Sequence, residues 1–381
     1  IQLGDWSSDV CSSDLMKRSM VAVLAAVCMF AWGNAFAQDG LSDVSGFKIN
    51  AAGTLIMQGT DKVNAPSSKD AKNNATYSID LEIEKEFGNG GKAFMHLEAG
   101  RGDGIDAYIG SFAGVNADAN HTSDGVAVTE LWYEQMLLND KFAVTFGKLN
   151  PASYLDENEY ANDENTQFVN PVFVNNAVIG FTENNLGLRM TYSPSEKFDL
   201  TYAYMTSGED WETIDCDGFN AFQVNFKPAE SANYRAMFWA SNRESEKFSG
   251  GDKKGGYGFA LSLDQKLNDN VGVFARFGYS DPSVYRLSMS WSAGAQFGGS
   301  MWTRENDTAG IALGQLMQSS DFTDANPVKK DNETQTEMYY SFALNENFFI
   351  TPSVQYISKP EGGNTANDDA FVYGIRTHVS F

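Results

Sequence analysis

The sequence predicts an all-β protein, a transmembrane antiparallel barrel of about 16 strands, and three observations predict it. The closing segment, residues 369–381, alternates Phe371, Tyr373, Ile375, Thr377, Val379 and Phe381 with Val372, Gly374, Arg376, His378 and Ser380. One side of that strand suits lipid and the other suits water. After residue 37 no apolar run is long enough to cross a bilayer as a helix, which needs about 20 residues. A spanning chain of this kind must then close a sheet on itself, because hydrocarbon offers backbone amides no partners. Finally, period-two segments of about ten residues recur along the chain, separated by turn chemistry.

The chain start sets the compartment. Met16-Lys17-Arg18, the apolar stretch from Val21 to Trp32 and the small-x-small site Ala35-Phe36-Ala37 read as a cleaved secretory signal over 16–37. Val27 is a poor neighbour for a lipidated Cys28, so cleavage after Ala37 is expected. Residues 1–15 read as translated sequencing-adapter sequence and are set aside, leaving 38–381 as one barrel domain of a protein exported to the Gram-negative outer membrane. The final outward aromatic, Phe381, resembles the signal read by the barrel-assembly machinery.

Strands are expected near 47–57, 75–87, 91–100, 128–138, 141–148, 185–193, 197–206 and 219–228. The second half of the chain supplies 231–240, 255–265, 270–280, 286–297, 307–316, 335–345, 348–358 and 370–381. The connections alternate, as they do when periplasmic turns are short and outer loops long. Gly88-Asn89-Gly90, Asn139-Asp140, Pro194-Ser195-Glu196, Pro228-Ala229-Glu230, Asn268-Asp269 and Asn345-Glu346-Asn347 are tight. Stretches 58–74, 101–127, 149–184, 207–218, 241–254, 317–334 and 359–369 are long and polar. Two connections break the rule, 281–285 being short for an outer loop and 298–306 long for a turn. Tyr192, Phe198, Tyr204, Phe226, Tyr279 and Phe297 fall outward near strand ends, where interfacial aromatic girdles or plain packing would use them.

With 27 basic and 50 acidic residues the net charge is −23, which argues against nucleic acid as a partner. Past the signal only Cys216 remains, so no intrachain disulfide is expected and a free loop thiol is the simple reading. His96, His121 and His378 lie far apart in sequence, no nucleophile-elbow or phosphate-loop motif occurs, and Ala161 stands where a calcium loop begun at Asp156 needs glycine. No metal, cofactor or enzymatic role is expected.

Residues 147–176 carry a G-K-x-N-P turn (Gly147 to Pro151), an A-N-D-E-x-x-Q-F-x-N-P core (Ala161 to Pro171) and an F-V-N-N tail (Phe173 to Asn176). This closely resembles the signature stretch of the OprB-type carbohydrate-selective porin family, with further matching patches at Gly310–Gln315, Thr351–Ile357 and Gly374–His378. The resemblance implies a sixteen-stranded barrel that lets small saccharides diffuse passively across the outer membrane.

Strand parity puts Arg189, Arg235, Arg276 and Arg376 inward, and also Asp80, Glu82, Glu98, Glu130 and Glu134 on strands two to four. Carboxylates would then occupy one arc of the wall and arginines the rest. Together with the connection 149–184 folded into the lumen, this field is expected to form a constriction. Asn158, Asn162, Asp163, Gln167 and Asn170 would offer hydrogen bonds to sugar hydroxyls there, and arginine forks could bond adjacent hydroxyls. The alternative is that arginines and carboxylates neutralise one another in the wall. Three functions stay open: a sugar-selective channel, a weakly selective porin favouring cations, and a structural or adhesive barrel with a plugged lumen. Outer-membrane lipid and lipopolysaccharide are expected neighbours, and small outward residues such as Ala275, Ala293 and Ala295 would permit a homotrimer.

Overall fold

A computed structural model describes residues 46–63, 72–118, 125–208, 211, 217–365 and 369–381. The segments 1–15 and 16–37, His121 and Cys216 lie outside the described residues. The first eight strands are β1 (Phe47–Thr60), β2 (Asn73–Phe87), β3 (Gly91–Arg101), β4 (Val126–Leu137), β5 (Phe142–Leu149), β6 (Asn185–Ser195), β7 (Phe198–Thr206) and β8 (Gly218–Ala229). The other eight are β9 (Ala232–Ser245), β10 (Lys254–Asn268), β11 (Val271–Ser280), β12 (Leu287–Gly298), β13 (Thr308–Gln318), β14 (Glu333–Ala343), β15 (Phe348–Ser358) and β16 (Asp369–Ser380). Each pairs antiparallel with its sequence neighbours, and β1 pairs with β16 in the register Ile56↔Arg376 and Gln58↔Gly374 to close the barrel.

Closure leaves no sheet edge, so the strands pair along continuous ladders, interrupted by bulges such as that between His96 and Leu97. The side chains divide as the alternation requires. Ile79, Phe238, Ile311, Met338 and Ile375 are exposed on the outer surface, whereas Ser288, Ser290 and Ser292 of β12 are buried within. The six outward strand-end aromatics keep the expected face; Phe198 stacks on Phe226 with ring centroids 5.0 Å apart. No described helix is long and apolar enough to cross a membrane.

Backbone conformation explains the tight turns. Between β4 and β5, Leu138, Asn139 and Asp140 all take positive φ (55°, 56° and 63°), a region where Asn and Asp are tolerated best. Both exceptional connections are built from side-chain bonds. At 281–286 the Asp281 carboxylate accepts from Ser283 N and Oγ at 3.1 and 2.7 Å and pairs with Lys254 at 2.6 Å. Between β12 and β13, a short 3-10 turn (Gly299–Trp302) precedes an Arg304–Asp307 ion pair, and Asp307 also accepts from Tyr340 Oη and Ala343 N.

Candidate functional site

The connection after β5 turns back into the barrel. Asn150 caps a short 3-10 turn (Pro151–Ser153), its Oδ1 accepting from Ala152 N at 3.0 Å. The chain then follows the inner wall through a series of bonds. Asp156 N donates to Gln223 Oε1 of β8 at 3.0 Å, and the Asp156 carboxylate meets Arg276 Nε of β11 at 3.1 Å. Asn158 Nδ2 donates to Ser262 Oγ and Leu263 O of β10, both at 3.2 Å. The Glu337 carboxylate of β14 accepts from Val169 N at 3.1 Å and Asn170 N at 2.8 Å. Ser290 Oγ of β12 donates to Asn176 Oδ1 at 2.7 Å. Arg376 Nη1 of β16 donates to Glu164 O at 2.7 Å, and Thr54 Oγ of β1 to Asn165 Oδ1, also at 2.7 Å. The loop thus touches the wall from β8 round to β1.

A second loop, after β3, enters as well, which the sequence reading missed. It holds a 3-10 turn (Gly104–Tyr108), and the Glu333 carboxylate of β14 grips it by accepting from Phe112 N at 3.0 Å and Ser111 Oγ at 2.8 Å. Val115 O accepts from Gln355 Nε2 at 2.9 Å, and Asn116 Nδ2 donates to Thr76 Oγ at 3.3 Å. The two loops are joined directly by Ala117 N donating to Val169 O at 2.8 Å.

Apolar packing backs these bonds. Leu149, Tyr154, Leu155 and Ile179 of the long loop pack on Met205, Phe219, Met237 and Trp239 of the wall. Ala161, Phe168, Val172 and Phe173 pack on Phe274, Ala312, Leu316 and Tyr339, while Ile105, Ile109 and Val115 of the second loop pack on Ile357, Ala370 and Val372. Burying an apolar side chain is worth about 1.5–3 kcal/mol, so the inner faces of β7 to β16 act largely as a core. Glycine makes room for close approach: a Cβ on Gly272 would lie 2.2 Å from the Tyr160 ring, and one on Gly278 would lie 2.4 Å from Asn176.

The four inward arginines are occupied with structure. Arg189 pairs with Glu134 at 2.5 Å, stacks over Tyr154 and bonds Thr145. Arg235 pairs with Asp264. Arg276, besides Asp156, donates to the carbonyls of Ala161, Phe173 and Asp156 and to Asn162 Oδ1. Arg376 is 3% exposed beneath the loop; its Nε and Nη2 have no hydrogen-bond partner among the described residues.

Two expectations need correction. Asn158 and Asn170 are buried and bonded to the wall, Asn170 through Gln335 and Gln355 while also capping the helix Pro171–Val174, so neither can present its side chain to a solute. Gln167 and Asp163 also bond within the loop, Gln167 to Asn162 N and Glu159 O, Asp163 to Asn165 N and Thr166 Oγ. Nor are inward carboxylates confined to strands two to four, because Asp264, Glu333 and Glu337 are buried on β10 and β14. The Glu333-Thr334-Gln335-Thr336-Glu337 alternation carried that signal.

On β2 to β4 the arrangement differs. Asp80 meets His96 Nε2 at 3.0 Å, Glu82 accepts from Asn50 at 3.2 Å, and Glu130 accepts from Trp132 Nε1 at 3.1 Å and Ser153 Oγ at 3.3 Å. Glu98 sits opposite Asp80 in the β2–β3 register. A cavity of about 460 Å³ opens here, lined by Asn50, Asp80, Glu82, His96, Asn165 and Asn347 among others. The loops facing this wall are acidic too. Burial pushes the Asp118 carboxyl up to about 8, and burial with the neighbouring Asp163 charge pushes Glu164 up to about 7. In the second loop burial also raises Asp106 to about 7.

Comparison with known proteins agrees with this geometry. The family model described as "Carbohydrate-selective porin, OprB family" matches residues 68–251 and 221–381. The chain is 26% identical over 235 residues to an uncharacterized protein of Aquifex aeolicus, covering 62% of this chain and 63% of that one. It is 21% identical over 282 residues to Porin AaxA of Chlamydia abortus, covering 71% of this chain and 60% of that one. It therefore spans about six-tenths of the length of the curated relatives it matches. Among solved structures, the high-pH structure of Pseudomonas putida OprB superposes with a TM-score of 0.77 at 15% identity, covering 88% of this chain and 94% of that one. A mutant Rh. blastica porin superposes with a TM-score of 0.58 at 12% identity, covering 88% of this chain and all of the other. At such identities these structures speak for the fold alone. With the family model spanning nearly all of the barrel, the chain belongs to the carbohydrate-selective porin OprB family.

Proposed function

We propose that this chain is an outer-membrane channel through which small saccharides diffuse passively down their concentration gradient. The observation that carries the reading is the cavity left between Asn165 and the wall of β1 to β3, inside a closed barrel whose outer surface is apolar. Inserted loops narrow the lumen, and what they leave open is lined by carboxylates and amides, groups that accept hydrogen bonds from sugar hydroxyls. Family membership supports the same reading. Segment 16–37 would direct export, barrel-assembly machinery would insert the strands, and lipid with lipopolysaccharide would surround a monomer or homotrimer. Reconstituted protein should make liposomes swell in glucose and arabinose faster than in disaccharides. Failure to swell, together with no current in a planar bilayer, would overturn the proposal.

A second reading, a structural barrel with a plugged lumen, draws support from the apolar clusters that fill the inner side from β7 to β16. Single-channel recording separates the two, since a plug abolishes current.

A further inference from the structure

The inner wall carries charge of both signs, but the two signs are not equally available. Arg235, Arg276 and Arg376 are each less than a tenth exposed, and all three are covered by the inserted loop or paired with a buried carboxylate. Arg189 is held between Glu134, Thr145 and the Tyr154 ring. The inward lysines beside this wall are likewise engaged: Lys48 pairs with Glu84 and Glu86 at 3.3 and 2.8 Å, and Lys92 pairs with Glu84 at 3.3 Å.

Acidic groups occupy the remaining surface. Asp80 and Glu82 line the cavity beside His96, and Glu98 of β3 sits opposite Asp80 in register. His96 is the cavity's only described basic side chain. Arg286, half-exposed among the loops, pairs with Glu361 at 3.6 Å and stacks over Phe112. Guanidinium charge is thus engaged by the loops and the wall, and at the cavity carboxylate charge is what a passing solute meets.

We propose that the bore selects by charge as well as size: it passes neutral sugars and cationic amino sugars and excludes anionic ones such as aldonic acids and sugar phosphates. This rests on the diffusion reading above and deepens it by naming the substrate class. A narrow passage with low-dielectric walls focuses the field of its fixed charges, raising the local concentration of the opposite sign. An ammonium group could pair with Asp80 and Glu82, whereas a second carboxylate or phosphate would meet only His96, which Asp80 already holds.

The test uses the full barrel in planar bilayers and vesicles. Under a potassium chloride gradient at low salt, the reversal potential should report potassium over chloride permeability of about threefold or more, collapsing as added salt shortens the screening length to about 3 Å at 1 M. Vesicle influx in near-neutral, low-salt buffer should rank glucosamine at or above glucose and both well above gluconate. Combining Asp80→Asn, Glu82→Gln and Glu98→Gln should cut the glucosamine-to-gluconate ratio several-fold, with heat-modifiable migration in gels checking that the variant still folds. Chloride preference, gluconate entering as fast as glucosamine, or a folded triple variant with an unchanged ratio would overturn the charge inference alone. A protein passing no current would instead overturn the channel reading on which it stands.

Discussion

Arg276 and Asp156 meet at 3.1 Å inside the barrel, each side chain only 1% exposed, and this contact ties the long inserted loop to β11. The same guanidinium holds three loop carbonyls, so one residue fixes the loop at positions 156, 161 and 173. Arg276→Ala would leave the buried Asp156 carboxylate without its countercharge and several acceptors without this donor, a loss of about 3–5 kcal/mol. The expected outcome is a noisier, larger single-channel conductance and a lower unfolding temperature in detergent. Wild-type conductance and melting would show that the loop is held by other means.

Glu337 offers a second anchor, its carboxylate accepting from two consecutive backbone amides at Val169 and Asn170. Glu337→Ala removes both acceptors, and each buried amide left unpaired costs about 1–3 kcal/mol. Proteolysis near residues 163–170 should become faster than in wild type, while Glu337→Gln, which retains one acceptor oxygen, should fall between the two. Equal cleavage rates for all three proteins would argue against the anchor.

Raising the pH should loosen both loops. Burial lifts Asp118 to about 8 and Asp106 and Glu164 to about 7, against the ordinary carboxylate range in an unfolded chain. The folded loops therefore hold protons that the unfolded chain releases. Their stabilisation is complete below about pH 4 and is lost as the pH climbs through 7 to 8. Melting temperature in detergent should fall between about pH 5 and pH 9, and Asp118→Asn should flatten the slope. A melting temperature that rises over this interval would contradict the assignment.

Close packing of the loop on the wall predicts that Gly272→Val is harmful, since the first added carbon would already overlap the Tyr160 ring. Overpacking of this kind costs about 1–3 kcal/mol. Shrinking the partner should restore what is lost, so the double change with Tyr160→Ala is expected to melt above the single variant, and a double variant no better than the single would refute the contact.

The strands were legible because lipid outside and water or loop inside impose a two-residue period. Strand β15 matches its expected limits, and most other ends lie within two residues of theirs. The largest departure, β9, runs on to Ser245 because its polar end, Asn242-Arg243-Glu244, looks like loop in composition while still continuing the strand. The loop anchors were harder to read. Trp239, Phe219 and Met237 lie on inward positions where a water-filled bore calls for polar groups, and only the loop packed against them explains their burial. Asn158 and Asn170 likewise resemble solute-binding amides until the contacts to Ser262, Gln335 and Gln355 reveal their job. Sequence spacing records which face a side chain takes. It does not record which distant segment arrives to cover it.

The apolar clusters beneath the inserted loops have a consequence for anyone wishing to widen this pore. Excising the long loop would not simply enlarge the opening, because Trp239, Phe219, Phe274 and Leu316 would be left as a greasy lining in contact with water. Such a lining invites dewetting or self-association. A wide-bore derivative has to replace those positions with hydrophilic residues at the same time, as if resurfacing a soluble protein turned inside out.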